Sequence, residues 1–193
     1  LLGRPAEAAA EFRQALEAQP LSVEAQLGLA TSLHRHGRND EAARAYHRAI
    51  EIQPGWWSTH SHLGVFQLTT GDLKGALESF RTAVQLSPDN TRALDNLGIT
   101  YQQLGRHEEA IVEYRRSIAI RPTASALSNL GTCLFVLGRY GEAVQAYERA
   151  TSMSPTEATL WLNLGDALRW NGEARERIDR AYRRAIELLE ADL

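Results

Sequence analysis

The chain has 193 residues, 44% hydrophobic and 23% charged, a composition that folds in water rather than staying disordered. Its formal net charge of −3 argues against a nucleic-acid partner, which would need a basic face to displace counterions from phosphates. No apolar run approaches the roughly 20 residues of a membrane span, and Leu1-Leu2-Gly3-Arg4 does not read as a signal peptide, so no membrane partner is expected and a cytoplasmic setting is expected over a secreted one.

In chain order, the predicted elements repeat. Residues 5–18 predict a helix closed by Pro20, and further prolines follow at Pro54, Pro88, Pro122 and Pro155, at steps of 34, 34, 34 and 33. Gly3, Gly37, Gly71, Gly105, Gly138 and Gly172 keep the same step. Each of these glycines predicts a left-handed cap ending one amphipathic stretch, and each proline closes the next. Two helices of about 14 residues therefore fit each period. A third series is small: Ala30, Gly64, Gly98, Gly131 and Gly165, each preceded by leucine. A fourth, Ala8, Ala42, Ala76, Ala110 and Ala143, is followed four residues later by Phe12, Tyr46, Phe80, Tyr114 and Tyr147. The small residues let helix backbones approach closely, and the aromatic fills the gap beside them. Leu97, Tyr101 and Leu104 point inward from a first helix (A); Ala110, Tyr114 and Ile118 answer from a second (B). A pair this small cannot bury its own apolar face and must stack on its neighbours.

Leu97-Gly98, Tyr101, Gly105, Glu109-Ala110, Tyr114 and Pro122 resemble the tetratricopeptide repeat signature, as do their counterparts one period away. The resemblance implies an all-α, right-handed superhelical solenoid of antiparallel helix pairs, about 11 helices in all, with A helices lining a concave groove and B helices outside. It also implies a non-catalytic scaffold that binds a protein or peptide. Pentatricopeptide arrays, the RNA-binding relatives, have a longer step and a basic face, and neither is present. The expected organisation is one solenoid over 1–193. It comprises a half repeat over 1–22 (second helix only), repeats over 23–56, 57–90, 91–123 and 124–157, and a divergent last repeat over 158–193.

Several departures carry expectations of their own. Leu1-Leu2-Gly3 corresponds to the end of an A helix, and Ala185, Ile186, Leu188 and Leu189 run on without a closing proline or a polar capping helix. A segment of a longer protein is expected, with uncapped ends able to support a homo-oligomer. One residue is missing between Pro122 and Gly131, and one is added between Gly172 and Tyr182. The small residue of the last B helix then falls near Arg177, which predicts looser packing there. Trp161, Gly165-Asp166, Arg169-Trp170 and Tyr182-Arg183-Arg184-Ala185 resemble repeat arrays appended to bacterial signalling and regulatory proteins.

The candidate site follows from helical geometry. Over residues 91–104, Leu94, Leu97, Gly98 and Tyr101 face the partner helix, leaving Arg92, Asp95, Asn96, Ile99, Gln102 and Gln103 as the outer stripe. The period places His62, Asn96, Asn129 and Asn163 at equivalent positions. Asparagine donates and accepts at once, so such a column suits the main chain of an extended peptide; the alternative is a row of amides facing water. The column resembles the asparagine ladder of O-linked N-acetylglucosamine transferase and kinesin light chain. Asp95, Ile99, Ser128 and Asp166 complete the expected groove. A dicarboxylate clamp for acidic tails is not expected, because its places hold Ser61 and Val65, Asp95 and Ile99, and Ser128 and Thr132.

No metal, cofactor or catalytic group is expected. His34/His36 and His60/His62 are i, i+2 pairs, about 200° apart on a helix, and cannot chelate one ion. His107-Glu108-Glu109-Ala110-Ile111 begins like the zinc-protease motif but carries Ile where the second His must stand. No Gly-rich phosphate loop or nucleophile elbow is present. Of Trp56 and Trp57, one is expected to pack across the repeat junction and the other to be partly exposed. Trp161 is expected in a packing position and Trp170 on the groove stripe. Cys133, the only cysteine, excludes an internal disulfide and is expected to be buried and inert.

Overall fold

The computed structural model describes residues 4–191, with side chains from residue 7 onward. Eleven helices and no strand occur among the described residues. Two compact units divide the chain after Pro88. The first holds α1 (Arg4–Ala18), α2 (Val23–Arg35), α3 (Asn39–Ile52), α4 (Trp57–Thr70) and α5 (Leu73–Leu86). The second holds α6 (Thr91–Gln103), α7 (His107–Ile120), α8 (Ala124–Val136), α9 (Tyr140–Met153), α10 (Ala158–Trp170) and α11 (Arg175–Ala191).

The punctuation behaves as its chemistry dictates. Gly37, Gly71, Gly105, Gly138 and Gly172 all have φ between 72° and 85°. Around each, two backbone hydrogen bonds close the preceding helix, as in Gly105 N–H to the Gln102 carbonyl (3.0 Å) and Arg106 N–H to the Tyr101 carbonyl (2.9 Å). This paired closure needs a left-handed residue, which only glycine adopts without strain. Gly3 lies outside the described residues. At the other turns, Gln53, Ser87, Arg121 and Ser154 stand before proline with φ from −132° to −150°, a backbone that cannot continue a helix. Ser22, Asn90 and Thr123 cap the helices that follow by accepting from the amides of Ala25, Ala93 and Ala126.

Within each pair the small residue of the A helix lies under the aromatic of the B helix. A Cβ at Gly64, Gly98, Gly131 or Gly165 would stand 2.6 to 2.8 Å from a ring carbon of Phe80, Tyr114, Tyr147 or Tyr182 respectively. Where that ring is a tyrosine, its hydroxyl returns to the A helix: Tyr114 donates to Gln102 Oε1 (3.1 Å) and Tyr182 to Asp166 Oδ1 (2.7 Å), while Tyr147 meets Thr132 Oγ1 at 3.0 Å. Phe12 of α1 instead lies over Gly28 of α2.

The last pair corrects one expectation. Counting back from Tyr182 puts Ile178, half-buried, in the small-residue register, while Arg177 turns outward to pair with Glu148 and Glu173. The approach of Gly165 to Tyr182 is as close as in the other pairs, so the inserted residue is absorbed in the turn ahead of α11. Trp56 and Trp57 are both half-buried, and Trp56, at the start of α4, packs on the core of Val23, Leu27, Leu33 and Tyr46 from the preceding repeat. Trp161 is half-buried and donates its ring N–H to the Pro155 carbonyl (3.0 Å). Cys133 is fully buried, and burial pushes its thiol up to about 11, away from the reactive thiolate.

Candidate peptide-binding surface

In the second unit α6, α8 and α10 follow one another as the A helices, with α7, α9 and α11 behind them. Gly98, Gly131 and Gly165 mark the azimuth facing the B helices, because each lies under a B-helix ring. Asn96, Asn129 and Asn163 precede those glycines by two residues, about 200° around the helix, and so turn away from the B helices. All three are half-buried, and none of their side-chain amides makes a hydrogen bond among the described residues. Unpartnered amide groups on three successive helices can bind the N–H and C=O groups of an added chain.

The neighbouring residues divide by the same geometry. Asp95 and Ser128, three residues before their glycines, lie about 60° from the ring-facing direction, on the seam with the B helices. Asp95 is half-buried, and its Oδ1 is sealed without a hydrogen-bond partner. Burial raises its pKa, partly offset by the Ser117 hydroxyl and the charge of Arg121. Asp95 therefore belongs largely to the seam between α6 and α7, as does Gln102, which accepts from Tyr114. Ser128 is half-buried, and its carbonyl accepts from Thr132 Oγ1 (3.0 Å). Ile99 is half-buried and Asp166 exposed; they occupy the row after the glycines, where Asp166 is engaged by the Tyr182 hydroxyl.

His62 occupies the asparagine register in the first unit, on α4. Its Nδ1 lies 2.7 Å from the Ser58 carbonyl, which can only accept, so Nδ1 carries the hydrogen and Nε2 remains the outward acceptor. The same register in α2 is Gly28, so the asparagine column belongs to the second unit alone. Two of the other paired histidines are also engaged: His60 Nε2 meets the Pro54 carbonyl (2.9 Å), and His34 meets Asn39 and Thr69 while standing edge-on to Phe66. Trp170, 62% exposed, stacks on Tyr140, which in turn meets Phe135 edge-on.

The opposite, B-helix side carries a feature that the sequence reading missed. Consecutive B helices are bridged by ion pairs from one register position: Arg13 to Glu41 (3.6 Å), Arg115 to Glu142 (2.8 Å) and, with the charges exchanged, Glu148 to Arg177. Glu41 and Glu142 are also gripped through two oxygens by Arg38 and Arg139 at the starts of their own helices, and these hydrogen bonds hold both carboxyls below their ordinary pKa. The signal was present as arginine and glutamate recurring one period apart.

Comparison with known proteins agrees with this architecture. Models of the tetratricopeptide repeat family match residues 2–55, 96–158 and 129–192 in one form and 58–123 in another. A MamA protein of known structure shares the fold with a TM-score of 0.80 at 25% identity, over 87% of this chain and 92% of that one. YrrB, described as a TPR protein with an unusual peptide-binding site, gives 0.77 at 21% identity, over 94% and 93%. BtubC (BKLC) from P. vanneervenii gives 0.83 at 18%, over 98% and 90%. The last two likenesses show the fold alone. No curated protein sequence gives a significant match. No helix among the described residues is long and apolar enough to cross a membrane. The family matches span most of the chain and coincide with its glycine-capped helix pairs: the chain belongs to the tetratricopeptide repeat family.

Proposed function

We propose that the chain is a non-catalytic protein-interaction scaffold whose second unit holds an extended peptide on Asn96, Asn129 and Asn163. The tetratricopeptide fold is consistent with a scaffold of this kind, and members of the family generally serve without catalysis. The observation that carries the reading is the set of three half-buried amides, without partners among the described residues, repeated at one azimuth on α6, α8 and α10. An amide can donate to a peptide carbonyl and accept from a peptide N–H, so such a column grips main chain whatever the side chains, as in β-strand-like recognition. Ile99 and Asp166 would border that main chain, Ser128 and Asp95 would contribute from the seam, and His62 would present Nε2 at the same register of the first unit.

The test is to select extended peptides from a displayed random library on the full chain and then replace Asn96, Asn129 and Asn163 together by Ala. Loss of the selected peptides with the helical signal intact is the expected result. Unchanged capture would sink the proposal. A second reading, self-association, is favoured by α11, where Ile186 and Leu189 are 52% and 50% exposed, whereas Ile118 at the register of Ile186 in α7 is buried. Concentration-dependent light scattering, lost on changing both to Ser, would support that reading; scattering independent of concentration would remove it.

A further inference from the structure

The B-helix side of each unit contains a cavity at the same place in the repeat, three periods apart. In the first unit it measures about 260 Å³ and is floored by Leu29, Leu33 and Ala45. In the second it measures about 420 Å³ and is floored by Leu130, Leu134, Ile118 and Ala146. Both are open surface grooves rather than enclosed pockets, with room for a single side chain of a partner.

The rims carry the argument. Arg13, Arg44 and Arg48 face a single Glu41 in the first cavity; Arg115 and Arg149 face a single Glu142 in the second. Both rims are therefore net positive on a chain whose formal charge is −3. Each glutamate is already claimed by two arginines, Arg38 and Arg13 or Arg139 and Arg115. One guanidinium per cavity, Arg44 or Arg149, is left exposed with no ion pair or side-chain hydrogen bond among the described residues. The step that follows the first cavity, between α3 and α5, has His47, Gly75, Glu78, Ser79 and Thr82 at the corresponding positions, so none of these places holds an arginine. An apolar floor beside a guanidinium that holds no ion pair matches an apolar side chain carried next to a carboxylate.

We infer that each of these two cavities, taken by itself, is a second docking site, for an acidic partner segment that seats an apolar side chain between the leucines and places a carboxylate on Arg44 in the first unit or on Arg149 in the second. Arginine forms paired hydrogen bonds to a carboxylate, so the surface selects for acidic flanks rather than for apolar character alone. The inference is argued from other side chains than the asparagine column, although Leu130 and Leu134 share α8 with Asn129.

Fluorescence anisotropy of the full chain tests it with two labelled synthetic peptides of about 12 residues. One carries leucines flanked by glutamates, and the other has lysine at every glutamate. The acidic peptide is expected to bind at least about tenfold more tightly, in line with charge-assisted hydrogen bonds. R44E with R149E removes that preference, whereas N96A/N129A/N163A leaves it intact. Equal binding of the two peptides, binding of neither, or loss in the asparagine variant with retention in the arginine variant overturns the inference. Concentration-dependent scattering abolished by R149E would make a second copy of the chain the occupant and overturn the assignment to a partner segment.

Discussion

Gly98 offers a sharp test of how the helix pairs are held together. A methyl group there would lie 2.7 Å from Tyr114 Cε1, 2.9 Å from Cζ and 3.0 Å from Cδ1, against an ordinary carbon–carbon contact of about 3.5–4.0 Å. Tyr114 cannot swing clear, because its side chain is fully buried and its hydroxyl is tied to Gln102. The seam between α6 and α7 must open by most of an ångström, and overpacking of that order costs about 1–3 kcal/mol. Alanine also favours helix over glycine by about 1 kcal/mol, which offsets part of the loss. The expected balance for Gly98→Ala is a destabilisation of about 1 kcal/mol. Gly141→Ala is the control: in α9 the added methyl meets only Asn171 Oδ1, at 3.4 Å, so the propensity gain of about 0.5–1 kcal/mol should survive. Urea denaturation followed by circular dichroism measures both. If Gly98→Ala unfolds at or above the wild-type midpoint, close approach of ring and backbone is not what selects glycine there.

Two further substitutions probe separate features. Gly105→Ala meets nothing within 4 Å but must keep φ near +72°, so it should lower stability by about 1 kcal/mol through backbone strain alone; an unchanged midpoint would show that the turn relaxes. Asp95→Asn should stabilise at neutral pH, because burial raises the folded-state pKa above the ordinary 3.8. As pH rises through the interval between those values, the unfolded chain sheds its proton first and wild-type stability falls; below the interval both states are protonated and the penalty is absent. The advantage of the amide should therefore vanish in acid, and an advantage independent of pH would refute the desolvation argument.

The repeat, its punctuation and the pairing of small residues with aromatics were legible because their causes are local. A left-handed backbone needs glycine, a residue before proline cannot stay helical, and a helix pair with one apolar face needs its neighbours. The asparagine register was legible for the same reason. What surrounds it was not: Asp95 and Asn96 are adjacent in sequence and fall on one stripe by counting, yet they stand about 100° apart, one on the α7 seam and the other turned away from it. Only the packed position of α7, marked by Tyr114 over Gly98, separates them. The same holds at α11, where counting along the period pointed to Arg177 as the crowding residue and packing placed Ile178 there, leaving Arg177 to pair with Glu148. The ion pairs between B helices join residues 27 to 29 apart, and the arginine-rimmed cavities depend on them. Their existence follows from the azimuth and stagger of packed helices, which tertiary contact decides and the period of the sequence does not specify.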